Sequence, residues 1–191
     1  MLNQEKVGNL GKSPITIGRY SYGIENITVR EWGEGKSLNI GAFCSISSDV
    51  LIFLGGNHRV DWISTFPFGH IFQDELGAEL FEGHPSSNGN VVIGNDVWIG
   101  HGVTIVSGVS IGDGAVICAN SHVVKDVPAY HMAGGNPTSL LRPRFAKSII
   151  NFLLQLSWWE LPIEEIIKIK SILCNVPSED NLISLLNTYR R

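Results

Sequence analysis

The densest group of side chains able to do chemistry lies in GGNHRVDWISTFPF, residues 55–68. His58 is its centre, because imidazole is the side chain best poised to take up a proton near neutral pH. Asn57 and Asp61 are close enough in sequence to orient that ring or tune its basicity, although Asp61 alone reads more readily as a turn or cap residue. Taken alone, a loop histidine is more often a solvated or structural residue than a base. Cys44, Cys118 and Cys174 form no Cys/His spacing of a zinc site and cannot all pair, which fits a reducing cytoplasm.

What must position His58 is a repeat. Ile93, Ile99, Ile105, Ile111, Ile117 and Val123 recur every six residues, and Val97, Val103, Val109, Ala115 and Ser121 stand four positions after the first five. Gly94, Gly100 and Gly112 follow the repeated aliphatics directly. An earlier block repeats the pattern with Ile40, Ile46 and Ile52, then Cys44, Val50 and Gly56, and Ile17-Gly18 is an isolated copy. Such a period is neither helical nor a simple alternation. It suits short strands joined by sharp turns, three to a coil of ~18 residues, with each aliphatic stacked on its counterpart one coil away. An ordinary antiparallel sheet of short strands would not hold one unbroken period. From about His58 to Asn90 the period vanishes, leaving a loop of a length usually kept for function.

After Pro143, FAKSIINFLLQLSWW places Phe145, Ile149, Phe152, Leu153 and Leu156 at helical spacing, and PIEEIIKIKSIL opens a second helix at Pro162. These helices are expected to cover one end of the coil and shield its open strand edges, with Trp158 and Trp159 as packing residues. The division is therefore 1–143 for the β unit and 144–191 for the helical segment.

Composition narrows the function. The chain has 191 residues and a net charge of −4, with 43% hydrophobic residues, which speaks against disorder. Its 21 glycines follow no Gly-X-Y period, which excludes collagen, and no basic block suits nucleic acid. MLNQEKVGNL lacks the apolar core of a signal peptide, and the apolar stretch at 149–159 is too short for a bilayer, so no membrane association is expected.

The blocks IGRYSYG (17–23), IGAFCSI (40–46), GGNHRVDWISTFPF, IGNDVWIG (93–100), AGGNPTSLLRPRF (133–145) and WWELP (158–162) follow in that order. Together they resemble the xenobiotic acetyltransferase branch of the hexapeptide-repeat acyltransferases, from Ile17 to Pro162. The resemblance implies a mainly β fold, a left-handed parallel β-helix with an active-site loop excursion and a C-terminal helical appendage. The handedness comes from the resemblance, since crossovers are ordinarily right-handed. It also implies direct acetyl transfer from acetyl-CoA to a hydroxyl in a ternary complex, with His58 as general base and no metal. The positions matching the family's acetyl-CoA groove are Trp98, Gly100, Ala119, Ser121, Lys125, Asn136, Pro137 and Arg142, in a homotrimer with active sites between subunits. Trp98 should face outward, and Lys125 and Arg142 should be exposed, as phosphate partners or as a solvated pair.

One departure bears on the acceptor. Only GIENITVREWGEGKSLN separates Tyr22 from Ile40, shorter than in the antibiotic-modifying relatives, which implies a more open pocket and a saccharide or small-molecule acceptor. Tyr20, Tyr22, Trp32, Asn57, Asp61 and Trp62 are the candidate acceptor contacts, and the four aromatic ones are also reasonable packing residues. An antibiotic-inactivating O-acetyltransferase acting on chloramphenicol or streptogramin A is the main alternative. A zinc enzyme like the γ-class carbonic anhydrases would use a histidine such as His101, but Val106 stands where a second ligand is expected, and His84, His122 and His131 form no ligand spacing. A non-catalytic scaffold is the remaining alternative, and the intact GGNHRVDW block speaks against it.

Overall fold

The computed structural model describes residues 4–190. In chain order, β1 (Lys6–Leu10) and β2 (Ser13–Ile17) form an antiparallel pair, followed by β3 (Ile27–Arg30), β4 (Leu38–Ile40), β5 (Ser45–Ile46) and β6 (Val50–Phe53). A one-turn helix α1 (Gln73–Leu76) lies inside the long excursion. The strands resume as β7 (Val91–Ile93), β8 (Trp98–Ile99), β9 (Thr104–Ile105), β10 (Ser110–Ile111), β11 (Val116–Ile117) and β12 (His122–Val123). Then come β13 (His131–Gly134), β14 (Ser139–Pro143), and helices α2 (Lys147–Leu156), α3 (Ile163–Leu173) and α4 (Glu179–Tyr189). The protein is mainly β, and apart from β1 and β14 its strands pair in parallel.

The chain visits three sheets in rotation. The first has the order β1-β2-β4-β7-β10, the second β14-β13-β11-β8-β5, and the third β12-β9-β6-β3. Ile17, Ile40, Ile93 and Ile111 are register partners down the first sheet, and Ile46, Ile99, Ile117 and Ala133 down the second. Val29, Ile52, Ile105 and Val123 run down the third. Counterparts one coil apart therefore stack, and the ladders continue across the excursion as if it were absent. The aliphatics that the period singled out from Ile40 onward are buried in one cluster. At its glycine positions the corner between the first and second sheets is too tight for a side chain. A Cβ on Gly41 would lie 2.6 Å from the Gly94 backbone, and one on Gly94 would lie 2.7 Å from the Asp113 nitrogen. Asn95 completes that corner, accepting from Ala42 N–H and donating to Asp113.

The helices are not where the sequence put them. Rather than covering an end, they pack along this corner, where Ala42, Phe43, Ala129, Tyr130 and Phe145 meet Leu153, Leu156, Trp159, Leu161, Ile166 and Ile169. Arg19, on the same corner, donates to the carbonyls of Trp159 and Leu161. The reason is geometric: the corner exposes a stripe of small and aromatic side chains, which a helix can cover, whereas each sheet edge offers hydrogen-bonding groups, which a strand satisfies better. Antiparallel β1 and β14 occupy one edge each of the first and second sheets. The third tail helix, α4, was not foreseen, although Ser178 accepts from Asn181 N–H as its N-cap and Leu182, Leu185, Leu186 and Tyr189 keep helical spacing. Among the described residues, no helix is long and apolar enough to cross a membrane.

Candidate active site

The excursion leaves the coil at the corner between the third and first sheets, and its neck is closed by backbone hydrogen bonds in both directions between Asn57 and Ser86, each 2.9 Å. The Asn57 side chain turns inward to Ser107 Oγ on the next coil, at 3.3 Å. Trp32 and Glu34, from the short segment before β4, brace the neck. Glu34 accepts from Gly56 N–H, Trp32 stacks on Phe53, and a Cβ on Gly56 would strike the Trp32 ring. His58 thus stands one residue beyond a rigid neck, exposed to solvent.

Its ring is oriented by the backbone. His58 Nδ1 lies 2.7 Å from the Thr65 carbonyl. A carbonyl only accepts, so Nδ1 carries the proton and Nε2 is left with its lone pair free, the tautomer a general base needs. Neither Asn57 nor Asp61 supplies this orientation, contrary to the sequence reading. Asp61 instead takes both hydrogen bonds of a bidentate pair with Arg59, which holds its carboxyl below the usual range. Arg59 in turn lies over the Trp62 ring, 5.3 Å from its centroid.

Sequence reasoning missed a cluster of three imidazoles. His84 meets His58 edge-on at 4.8 Å between ring centroids and His70 at 4.9 Å. Both His84 ring nitrogens are buried and lack a hydrogen-bond partner among the described residues. Burial, reinforced by His58 and His70, lowers the His84 pKa and favours its neutral form. The rings meet edge to face, and among the described residues no group of three or more His, Cys, Asp or Glu side chains is arranged for a metal ion. His101, on another corner, has Ser48 Oγ 2.9 Å from its Nδ1 and Asp49 nearby. No local signal could have joined His70 and His84 to His58, since the excursion that folds them together has no period.

The other singled-out residues fall into two groups. Tyr22, Ser45, Trp98, Val116, Met132 and Arg142 are successive register partners across the outer face of the second sheet. Trp98 points outward and is 56% exposed, Tyr22 54%. Gly100 and Ala119 stack on the corner between the second and third sheets, where a Cβ on Gly100 would come within 2.6 Å of Ala119 N. Asn136 and Pro137 lie exposed in the turn between β13 and β14. Ser121 is buried, and its hydroxyl donates to the Cys118 carbonyl and accepts from Gly135 N–H. Lys125 is exposed too, but on the third-to-first corner, so within one chain it is not beside Arg142. Tyr20 stacks on Phe43 in the tail-facing corner, away from His58. Cys44 is no nucleophile: it is buried, donates to the Gly94 carbonyl, and burial pushes its thiol up to about 11.

Comparison with known proteins bears on the family. Residues 90–125 match the family Bacterial transferase hexapeptide (six repeats). The chain is 37% identical over 178 residues to a chloramphenicol acetyltransferase of Escherichia coli, covering 86% of this chain and 84% of the relative. It is 47% identical over 160 residues to a protein of Lysinibacillus sphaericus named "Probable macrolide acetyltransferase", covering 82% and 86%. Among solved structures, a hexapeptide-repeat acetyltransferase of Vibrio cholerae O1 biovar eltor, complexed with acetyl coenzyme A, is similar at 28% identity with a TM-score of 0.50, covering 69% of this chain and 61% of that one. The repeat, the loop histidine and these relatives together place the chain in the xenobiotic acetyltransferase branch of the hexapeptide-repeat acyltransferases, to which it belongs.

Proposed function

We propose that the protein moves the acetyl group of acetyl-CoA to a hydroxyl of a small-molecule acceptor, with His58 as general base. The observation that carries this reading is the His58–Thr65 hydrogen bond, which leaves Nε2 free on a rigid neck. His58 Nε2 takes the acceptor proton as the oxygen attacks the thioester carbon; the C–S bond then breaks, and the proton passes to the departing thiolate. An alcohol is a weak nucleophile at neutral pH, so a base in place contributes on the order of 10²–10⁴-fold.

The donor groove is the outer row of the second sheet, with Trp98 along it and Arg142 at its end, together with Gly100, Ala119, Asn136 and Pro137 beside it. Ser121 serves it from beneath, by fixing the Gly135 turn. His58 and Lys125 lie on a different corner of the same chain from the Trp98 row and Arg142. That separation supports a homotrimer, in which the row of one subunit faces the excursion of the next. The coil is read as left-handed, with 1–143 as the catalytic unit and 144–191 as a helical brace. The three thiols without disulfides support a reducing cytoplasm.

The names of the relatives favour antibiotic-like acceptors over sugars. A free-thiol release assay with acetyl-CoA against chloramphenicol, a streptogramin A compound, simple sugars and nucleotide sugars tests the reading. Turnover should yield an ester that mild base hydrolyses; a product that resists it, an amide, contradicts O-acetylation.

A further inference from the structure

The excursion carries a charge pattern that acetyl transfer as such does not require. Residues 60–90 contain Asp61, Asp74, Glu75, Glu79 and Glu82 and no lysine or arginine, and the first lysine or arginine after Arg59 is Lys125. Asp61 is already paired with Arg59, which leaves four carboxylates without a basic residue on their own segment. The folded excursion encloses a concavity of about 580 Å³, the size of a drug-like ligand site. Trp62, Phe66, Phe68 and Phe81 line it, Glu79 and Glu82 belong to its wall, and His84, which touches His58 edge-on, completes it.

Three features of this concavity select a ligand. Four aromatic rings offer apolar area and negative ring faces, which attract a desolvated cation. Trp62 already carries one cation on its ring, the Arg59 guanidinium paired with Asp61. Two carboxylates with no lysine or arginine in the lining attract an ammonium group and repel phosphates within a Debye length of about 8–10 Å. A sugar would leave the aromatic walls poorly covered, and a nucleotide sugar would bring the wrong charge.

We propose that this concavity is the acceptor subsite and that it takes a hydroxyl compound with an apolar ring frame and a protonated amine. The proposal rests on His58 as the base of acetyl transfer, because the concavity reaches the reacting hydroxyl only through the His84–His58 contact. It also separates the two substrates by charge: the anionic donor is met by Lys125 and Arg142, and the cationic acceptor by the excursion.

The test compares two acceptors of one carbon frame in the thiol-release assay. One is chloramphenicol, which is neutral; the other is its analogue with the dichloroacetamide replaced by dimethylamino, a cation whose nitrogen cannot form an amide. The cationic probe should show at least a tenfold higher kcat/KM at pH 7.5, with an advantage that shrinks as salt rises from 50 to 500 mM. In the Glu79→Gln/Glu82→Gln double variant, the cation-to-neutral ratio of kcat/KM should fall about tenfold. An equal or lower kcat/KM for the cationic probe, or a double variant with an unaltered ratio, overturns the proposal, as does a preference for UDP-N-acetylglucosamine. A double variant that elutes as a smaller species on gel filtration assigns the concavity to a second copy of the chain and also overturns it. A His58→Ala arm keeps the two readings distinguishable. Retained turnover there defeats the transferase mechanism, whereas a lost charge preference with His58 still essential defeats only the acceptor assignment.

Discussion

Replacing Asp96 by asparagine should stabilise the protein at neutral pH and have no effect in acid. Asp96 sits on the tail-facing corner, in a small concavity of about 160 Å³ that it shares with Tyr130, Arg144 and the tail helices. Burial pushes its carboxyl up to about 6; Arg144, 3.8 Å away, opposes the shift, and Asp113 adds to it. Because the folded value lies above the unfolded one, the folded state binds the proton more tightly. The stability that this proton confers is complete below pH 3.8 and is lost as pH rises through about 6. At pH 8 the charged carboxylate therefore costs, from two pKa units at ~1.4 kcal/mol each, at most about 3 kcal/mol. The side chain is 34% exposed, which brings the figure to about 1–2 kcal/mol. Asparagine fixes the neutral form at every pH and tolerates the left-handed backbone at this position, where φ is 55°. Thermal melts of both proteins from pH 4 to 8 should show the variant's Tm higher by about 2–6 °C at pH 8 and equal near pH 4. A variant less stable at pH 8 would mean that the Arg144 pair outweighs burial, and a pH-independent difference would place the effect elsewhere; either result refutes the reasoning.

Two further outcomes follow from the same geometry. Ile105→Ala, at a fully buried position between Ile52 and Val123, should cost about 2–5 kcal/mol in urea unfolding, and a loss below 1 kcal/mol would show that the ladder is not the core's main support. Lys125→Ala and Arg142→Ala should each raise the KM for acetyl-CoA about three- to tenfold with little change in kcat or Tm, because both side chains are exposed; an unchanged KM removes that residue from the donor groove.

The six-residue period made the core legible, because an aliphatic that must stack on its counterpart every coil leaves its spacing in the sequence. That Ile93 would fall in register with Ile40 across the excursion is seen only in the fold. The helical tail was legible only as helices. The stripe formed by Leu153, Leu156, Ile166 and Ile169 states that a face is buried, but not that Phe43 and Tyr130 on a corner would cover it. At the site, His58 stood out by residue type and by its block. Its orienting group did not, since the Thr65 carbonyl belongs to the backbone and has no side-chain signature. His70 and His84 were invisible for a related reason: an aperiodic loop fixes its contacts by tertiary packing alone. Tyr20 and Tyr22, one residue apart from a common neighbour, went to different faces because the chain turns a corner between them.

The central claim is that His58 Nε2 removes the acceptor proton, and kcat/KM of wild type against His58→Ala tests it most directly. With a fixed acceptor and saturating acetyl-CoA, the variant should lose about 10²–10⁴-fold in rate while remaining folded. A His58→Ala protein that keeps wild-type turnover would contradict the account.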